Sequence, residues 1–285
     1  MTQKTPPMLT SETAKNLLEG KNQVSLDLGL TETTVKQTKT TIILNDVETI
    51  DLGGLEKIAQ DQRSVYFVEN KTIYVAAISG KHFYKLAKTS GAPTLEIDGI
   101  RMHRTKNTTP ELDAEKKLSI LGLKSGKVLD TCMGLGYTAI QAHENGAEYV
   151  ISNEYEPNVV RIAQLNPWSR KLFSEESIFK LIGDSFHLVD ALPKHHFDYI
   201  IHDPPRHGSA GHLYGQEFYM KLSRVIKPRG KMFHYTGEPR SRYRGVNLQK
   251  GISLRLRKAG FKDLEYHPSV MGLTCTMDTV QAKSR

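Results

Sequence analysis

Cysteine is nearly missing from this sequence. Its two copies, Cys132 and Cys275, stand far apart on apparent core strands or turns, so neither a disulfide framework nor a zinc site is indicated. Long apolar runs are missing as well. None approaches the ~20 residues that a bilayer span needs, and residues 1–10 lack an apolar signal core. These absences argue against a membrane partner and predict a cytoplasmic protein. There is no internal repeat and no low-complexity tract. What is present has the balance of a globular protein: 38% hydrophobic and 25% charged residues in a chain of 285, long enough for two domains, each with its own core.

The most informative stretch is 127–138, KVLDTCMGLGYT. Val128 and Leu129 read as the end of a buried strand, Asp130 sits at its carboxyl end, and Gly134 and Gly136 bracket a tight turn ahead of a helical pattern. Glycines let backbone approach a bound molecule, and the following helix start offers free amides. The turn has no Gly-Lys-Ser/Thr, which rules out a phosphate-gripping Walker loop. It also lacks the third glycine of a dinucleotide fold. An acid at the strand end instead suits a ligand with a positive charge or hydroxyls. A second strand ends at Glu154, about two dozen residues on, where an open α/β sheet presents a carboxylate to ribose hydroxyls. A third apolar run ends at Asp184 and Ser185, and a fourth, FDYII at 197–201, stops at Asp203.

The spacing Asp, three residues, Gly, one residue, Gly resembles motif I of the class I S-adenosylmethionine methyltransferases. The resemblance implies S-adenosylmethionine as cofactor, held by Asp130, Cys132, Gly134, Gly136, Tyr137, Glu154, Tyr155, Asp184 and Ser185, with no metal. Cys132 reads as a small packing residue of the turn. From about residue 106 the chain alternates strand and helix, predicting a mostly parallel sheet with helices on both faces. Residues 227–230 (KPRG) read as a turn before a strand at 231–235, and 261–266 with 269–277 as the reversed closing hairpin of methyltransferase sheets.

Residues 1–105 read differently, as a small α+β, mostly antiparallel domain. Short helices are expected at 9–20 and 52–59. Strands are expected at 23–27, 38–44, 64–68, 72–78, 82–86, 94–97 and 100–103, the last two around Asp98-Gly99. This domain is expected to serve substrate recognition or dimer contact. Residues 106–110 (KNTTP) form the linker, with Pro110 opening the first helix of the methyltransferase domain, 106–285.

Chemistry is expected at Asp203-Pro204-Pro205-Arg206. Consecutive prolines stiffen the backbone and remove two amide donors, leaving carbonyls as acceptors. An amino group conjugated to a base is a poor nucleophile. If the Asp203 carboxylate and the Pro204 carbonyl each accept one of its hydrogens, its nitrogen is positioned and gains electron density as it becomes tetrahedral. The loop resembles the Asp/Asn/Ser-Pro-Pro-aromatic motif of methyltransferases that act on exocyclic amines of bases and on glutamine amides. Arg206 replaces the usual stacking aromatic, and a guanidinium can both stack on a base and meet a phosphate. Tyr214, His207 or Tyr243 is left to supply the ring, and His202 to pack beneath the loop. Together with the N-terminal domain, these motifs resemble the archaeal ribosomal RNA cytidine N4-methyltransferase family. That likeness implies RNA as partner and an unpaired or flipped cytidine as target.

Charge points the same way. Between residues 220 and 262 there are thirteen Lys or Arg against one acid, Glu238, so the segment holds +12 while the whole chain holds +8. Such concentration is expected for a polyanionic partner, and Arg240, Arg242, Tyr243 and Arg244 form its most distinctive cluster. Three other readings remain at this point: a polyamine aminopropyltransferase, whose cationic substrate would want an acidic pocket; a protein glutamine methyltransferase; and a non-catalytic RNA-binding module.

Overall fold

The computed structural model describes residues 6–205, 210–237, 242–243 and 246–279, with backbone alone at 242–243 and 246–247. The described chain divides into two compact units. One runs to Leu112 and takes in Asn158–Ser174; the other is Asp113–Pro157 with the chain from Glu175 onward.

The first unit is built from short antiparallel strands, as the alternating β-branched runs predict. Ala77–Ser79, Phe83–Ala87, Thr94–Ile97 and Ile100–Arg101 form a four-stranded sheet, and Met8–Leu9, Tyr66–Glu69 and Thr72–Val75 a three-stranded one. Asp98 and Gly99 have φ of 49° and 80°, the paired positive values of a tight hairpin turn. Helix Ser11–Leu18 starts where the Thr10 hydroxyl accepts from the Thr13 amide, and helix Leu52–Gln60 where the Asp51 carboxylate accepts from the Gly54 amide at 2.6 Å. The single strand expected at 38–44 is instead two, Lys36–Gln37 and Thr41–Ile43, because the Thr38 hydroxyl takes the Thr41 amide at 3.0 Å and turns the chain between them. Asn158–Ser174 belongs to this unit, whereas the sequence reading put it with residues 106–285. The Trp168 indole donates to the Leu28 carbonyl at 3.0 Å, a contact that local spacing does not reveal.

In the second unit a helix, α1 (Pro110–Leu121), leads into β1 (Gly126–Asp130), and α2 (Tyr137–Glu144) follows. Next come β2 (Ala147–Glu154), β3 (Ile178–Ile182), the one-turn helix α3 (Ser185–Leu188), β4 (Phe197–His202), α4 (Gln216–Val225), β5 (Ile226–Tyr235), α5 (Leu248–Lys258), β6 (Phe261–His267) and β7 (Gly272–Met277). They form one seven-stranded sheet in the order β3-β2-β1-β4-β5-β7-β6. Strands β1 to β5 are parallel, and β7 runs antiparallel to both β5 and β6. The expected reversed hairpin is therefore present, and the architecture is the class I methyltransferase fold.

Residues 227–230 do not precede β5 as a turn. They lie inside it as a bulge, with Arg229 at φ 64° and the pairing register to β4 shifted between Phe197 and Tyr199. One face of the sheet is closed by a core in which Phe197 and Ile200 of β4 meet Phe218, Tyr219 and Leu222 of α4 and Ile252 and Leu256 of α5, all fully buried. Each such side chain contributes on the order of 1.5–3 kcal/mol by leaving water. That burial fixes β4 and α4, and with them the chain that runs between them. Among the described residues no helix is long and apolar enough to cross a membrane.

Candidate active site

Parallel order places the carboxyl ends of β1 to β4 along one sheet edge, and an acid stands at or just past each. In spatial order they are Asp184, Glu154, Asp130 and Asp203, at the topological switch where α/β folds take ligands. Asp130 is wholly buried. Its Oδ2 accepts from the Ser152 hydroxyl at 2.7 Å and the Thr138 hydroxyl at 3.3 Å. Its Oδ1 meets no donor at hydrogen-bonding geometry among the described residues, although the nearby Cys132 amide favours the charged carboxylate. Burial outweighs these donors and lifts the carboxyl to about 6.

Glu154, partly buried, spans the glycine turn: Oε2 accepts from the Gly134 amide at 2.9 Å and Oε1 from the Glu156 amide at 3.0 Å. Burial raises it to about 7. The turn itself needs its glycines, with φ of 54° at Gly134 and 81° at Gly136, the latter forming the start of α2. Tyr137, the first residue of α2, is buried, while Tyr155 is 69% exposed. Burial drives the Cys132 thiol well above its ordinary value, which favours the protonated sulfur over the thiolate. Two of the expected ligand residues are already engaged. Asp184 caps α3 by accepting from the Phe186 amide at 2.9 Å, with the His212 imidazole 3.5 Å away. Ser185 donates to the Thr131 carbonyl and accepts from the Asn153 amide nitrogen at 2.6 Å, tying the ends of β1 and β2 to α3. Asn153 was not singled out in the sequence, where Glu154 beside it drew the attention.

Beyond β4, Asp203-Pro204-Pro205 is braced from two sides. Buried Tyr214 donates its hydroxyl to the Pro205 carbonyl at 3.0 Å, with the Pro204 carbonyl at 3.5 Å. The proline carbonyls are thus not without competing partners, contrary to expectation, and Tyr214 props the loop from behind instead of offering a ring to a target. On the other side Lys117 of α1 lies 2.5 Å from Asp203 Oδ2 and 2.7 Å from Asp113 Oδ2. Burial alone would lower this ammonium, but the two carboxylates outweigh it and hold it above the ordinary lysine value. His202 packs beneath, fully buried: Nε2 donates to the Leu213 carbonyl at 3.0 Å, so Nδ1 accepts from the Thr131 hydroxyl at 2.7 Å. Burial depresses it to about 3, leaving a neutral ring whose centroid lies 4.4 Å from that of the equally buried His234, the planes tilted by 41°. Arg206, His207, Arg240 and Arg244 lie outside the described residues, as do the side chains of Arg242 and Tyr243.

The basic segment is less free than its count suggests. Lys221 pairs with Asp190 at 2.6 Å, Lys227 with Asp198 at 2.7 Å and Lys262 with Asp278 at 3.3 Å. Arg224 donates to the Val189 and Leu192 carbonyls, and Arg255 to that of Tyr214. A hollow of about 550 Å³ lies elsewhere, in the first unit, where Lys88 pairs with Glu12 at 2.8 Å and Lys21 with Glu19 at 3.2 Å.

The residues at these strand ends fit S-adenosylmethionine. A buried carboxylate with an oxygen lacking a hydrogen-bond partner among the described residues would suit the ammonium of its amino acid head, and the Glu154 carboxylate beside a glycine turn would suit its ribose hydroxyls. No family model matches the chain. A solved spermidine synthase in complex with the transition-state analogue AdoDATO shares the fold at TM-score 0.58 and 21% identity over 75% of each chain. Polyamine aminopropyltransferase 2 of Streptomyces coelicolor is 30% identical over 139 residues, 47% of this chain and 24% of that protein. The third match spans nearly everything: with 43% identity over 276 residues, 93% of both chains, this protein belongs to the family of the uncharacterized protein MJ1233 of Methanocaldococcus jannaschii.

Proposed function

We propose that this protein transfers a methyl group from S-adenosylmethionine to an exocyclic amino group of a nucleobase in RNA, cytidine N4 in ribosomal RNA being the first expectation. The observation that carries this reading is the Asp203-Pro204-Pro205 loop, set at the tip of β4 beside the Asp130 crevice and braced by Tyr214 and Lys117. When bound, S-adenosylmethionine supplies an electrophilic methyl on a sulfonium. Asp130 holds its ammonium, Glu154 its ribose hydroxyls, and Asp184, still partly exposed, its adenine edge. Asp203 and the Pro204 carbonyl accept the two hydrogens of the target amine. Such fixed acceptors orient the nitrogen and favour the positive charge that grows on it. As the new N–C bond formed, the methyl–sulfur bond would break with S-adenosylhomocysteine as the leaving group, and Asp203 would be the group placed to pass the surplus proton to water.

A second reading, aminopropyl transfer to a polyamine, is favoured by the likeness to a spermidine synthase and by the partial match to an aminopropyltransferase. One objection to it is also weakened, since three of the thirteen cations behind the +12 that spoke against a cationic substrate, Lys221, Lys227 and Lys262, are held in internal ion pairs. One experiment separates the two. The protein is incubated with methyl-labelled S-adenosylmethionine or with decarboxylated S-adenosylmethionine, each with total RNA, with spermidine or with protein extract. Label in a digested nucleoside supports methyl transfer to RNA. A lengthened polyamine, or label in peptides alone, refutes it.

A further inference from the structure

Lys117 was not among the residues that the motifs picked out, and the reaction above does not use it directly. It lies on α1, one strand upstream of the donor crevice, yet its side chain is only 8% exposed and its ammonium reaches the loop that receives the substrate. A lysine is seldom buried unless paired. This one has two carboxylates, Asp113 and Asp203, at 2.7 and 2.5 Å, and the Phe233 and Tyr235 rings at 5.9 and 5.7 Å from Nζ. Asp113 is 3% exposed and stays with α1, whereas Asp203 keeps 24% of its side chain accessible. The cation therefore joins a buried carboxylate to a partly exposed one at the tip of β4.

We propose that Lys117 sets the class of amine this site accepts. The inference rests on the reading that Asp203 meets the acceptor nitrogen. With Oδ2 committed to Lys117, which it shares with Asp113, Asp203 is a partly compensated acceptor. It can orient an uncharged amino group, such as that of a base, while attracting an ammonium less than a bare carboxylate would. A polyamine reaches an enzyme with its nitrogens protonated, and it would meet the Lys117 cation a few ångströms behind the carboxylate that should hold it. Like charges at that separation repel strongly where water is excluded. Removing Lys117 exposes the uncompensated charge of Asp203 and loosens the loop, so the site loses positioning of a neutral amine and gains attraction for a cationic one.

Two variants test this, Lys117→Met and the double variant Lys117→Met/Asp113→Asn, in which the buried partner carboxylate is also discharged. S-adenosylhomocysteine binding is measured first by calorimetry and should match wild type, since Asp130 and Glu154 are untouched. Turnover on RNA should fall on the order of 100-fold, the usual cost of a misplaced reactant. Spermidine titrated into the S-adenosylhomocysteine-bound protein should bind Lys117→Met at least roughly tenfold more tightly than wild type, and the double variant, in which these positions keep the net charge of wild type, more tightly by a smaller factor. If wild type methylates RNA and the variants hold the nucleoside but keep their turnover, or lose turnover with no gain for spermidine, this inference fails while the proposed function stands. If wild type itself lengthens polyamines, the proposed function fails and takes the inference with it. Should both variants unfold, wild type decides: tight spermidine binding beside S-adenosylhomocysteine overturns the role given to Lys117, and its absence supports it.

Discussion

Replacing Asp130 by Asn should weaken donor binding and, at neutral pH, make the donor-free protein no less stable. The carboxylate is wholly buried, with one oxygen satisfied by Ser152 and Thr138 and the other without a well-placed donor. Burial lifts it from 3.8 to about 6, and a shift of about two units corresponds to roughly 3 kcal/mol at about 1.4 kcal/mol per unit. A folded value above the unfolded one means that the protonated form is the better folded. Its stabilising contribution is complete below 3.8 and is lost as pH rises through about 6. The difference in unfolding free energy between wild type and Asp130→Asn should therefore move against wild type by up to about 3 kcal/mol from pH 4 to pH 7, then stay flat. Taking the difference removes the opposing contributions of His202 and His234. Donor affinity should move the other way. A hydrogen bond to a charged group contributes about 1.5–3 kcal/mol, so the variant should bind S-adenosylmethionine roughly 10- to 100-fold more weakly at pH 8, and wild type should itself weaken as pH falls below about 6. Urea titrations from pH 4 to 8 and calorimetry with the donor give both curves. Unchanged affinity in the variant, or a stability difference that grows in favour of wild type with rising pH, would refute the assignment of Asp130.

Tyr214→Phe removes the hydroxyl that props the Pro205 carbonyl. Stability should drop by about 1 kcal/mol and turnover by roughly tenfold, with donor affinity unchanged, as separate kcat and donor Kd measurements would show. His202, neutral in the fold and held at about 3, takes up a proton on unfolding once pH is below its ordinary 6.5. Its stabilising effect is thus present above 6.5 and lost as pH falls toward 3, so the advantage of wild type over His202→Asn in denaturant should shrink across that interval.

The sheet was legible in the sequence because its signals are local. Buried runs such as FDYII end abruptly at an acid, glycines at 134 and 136 occupy left-handed backbone, and Pro110 opens a helix. What stayed hidden depends on partners remote in sequence. Asp113 and Lys117 look like an ordinary surface pair one helical turn apart, and only the fold brings Asp203, 86 residues on, to the same ammonium. The pairing of Lys221, Lys227 and Lys262 was hidden for the same reason, since Asp190, Asp198 and Asp278 lie outside the 220–262 window. Tyr214 reads as a loop aromatic open to a target until the packing of α4 against β4 places it behind the prolines. Trp168, likewise, carries no sign of its bond to Leu28.

The central claim is that the β1 and β2 tips hold a sulfonium nucleoside with the amine-receiving loop beside it. A crystal structure of the protein with S-adenosylhomocysteine tests it most directly. The ligand's ammonium should lie within hydrogen-bonding distance of Asp130 Oδ1, its ribose hydroxyls on Glu154, and its sulfur facing Asp203. A ligand lodged elsewhere, or a crevice that stays shut at saturating concentration, contradicts it.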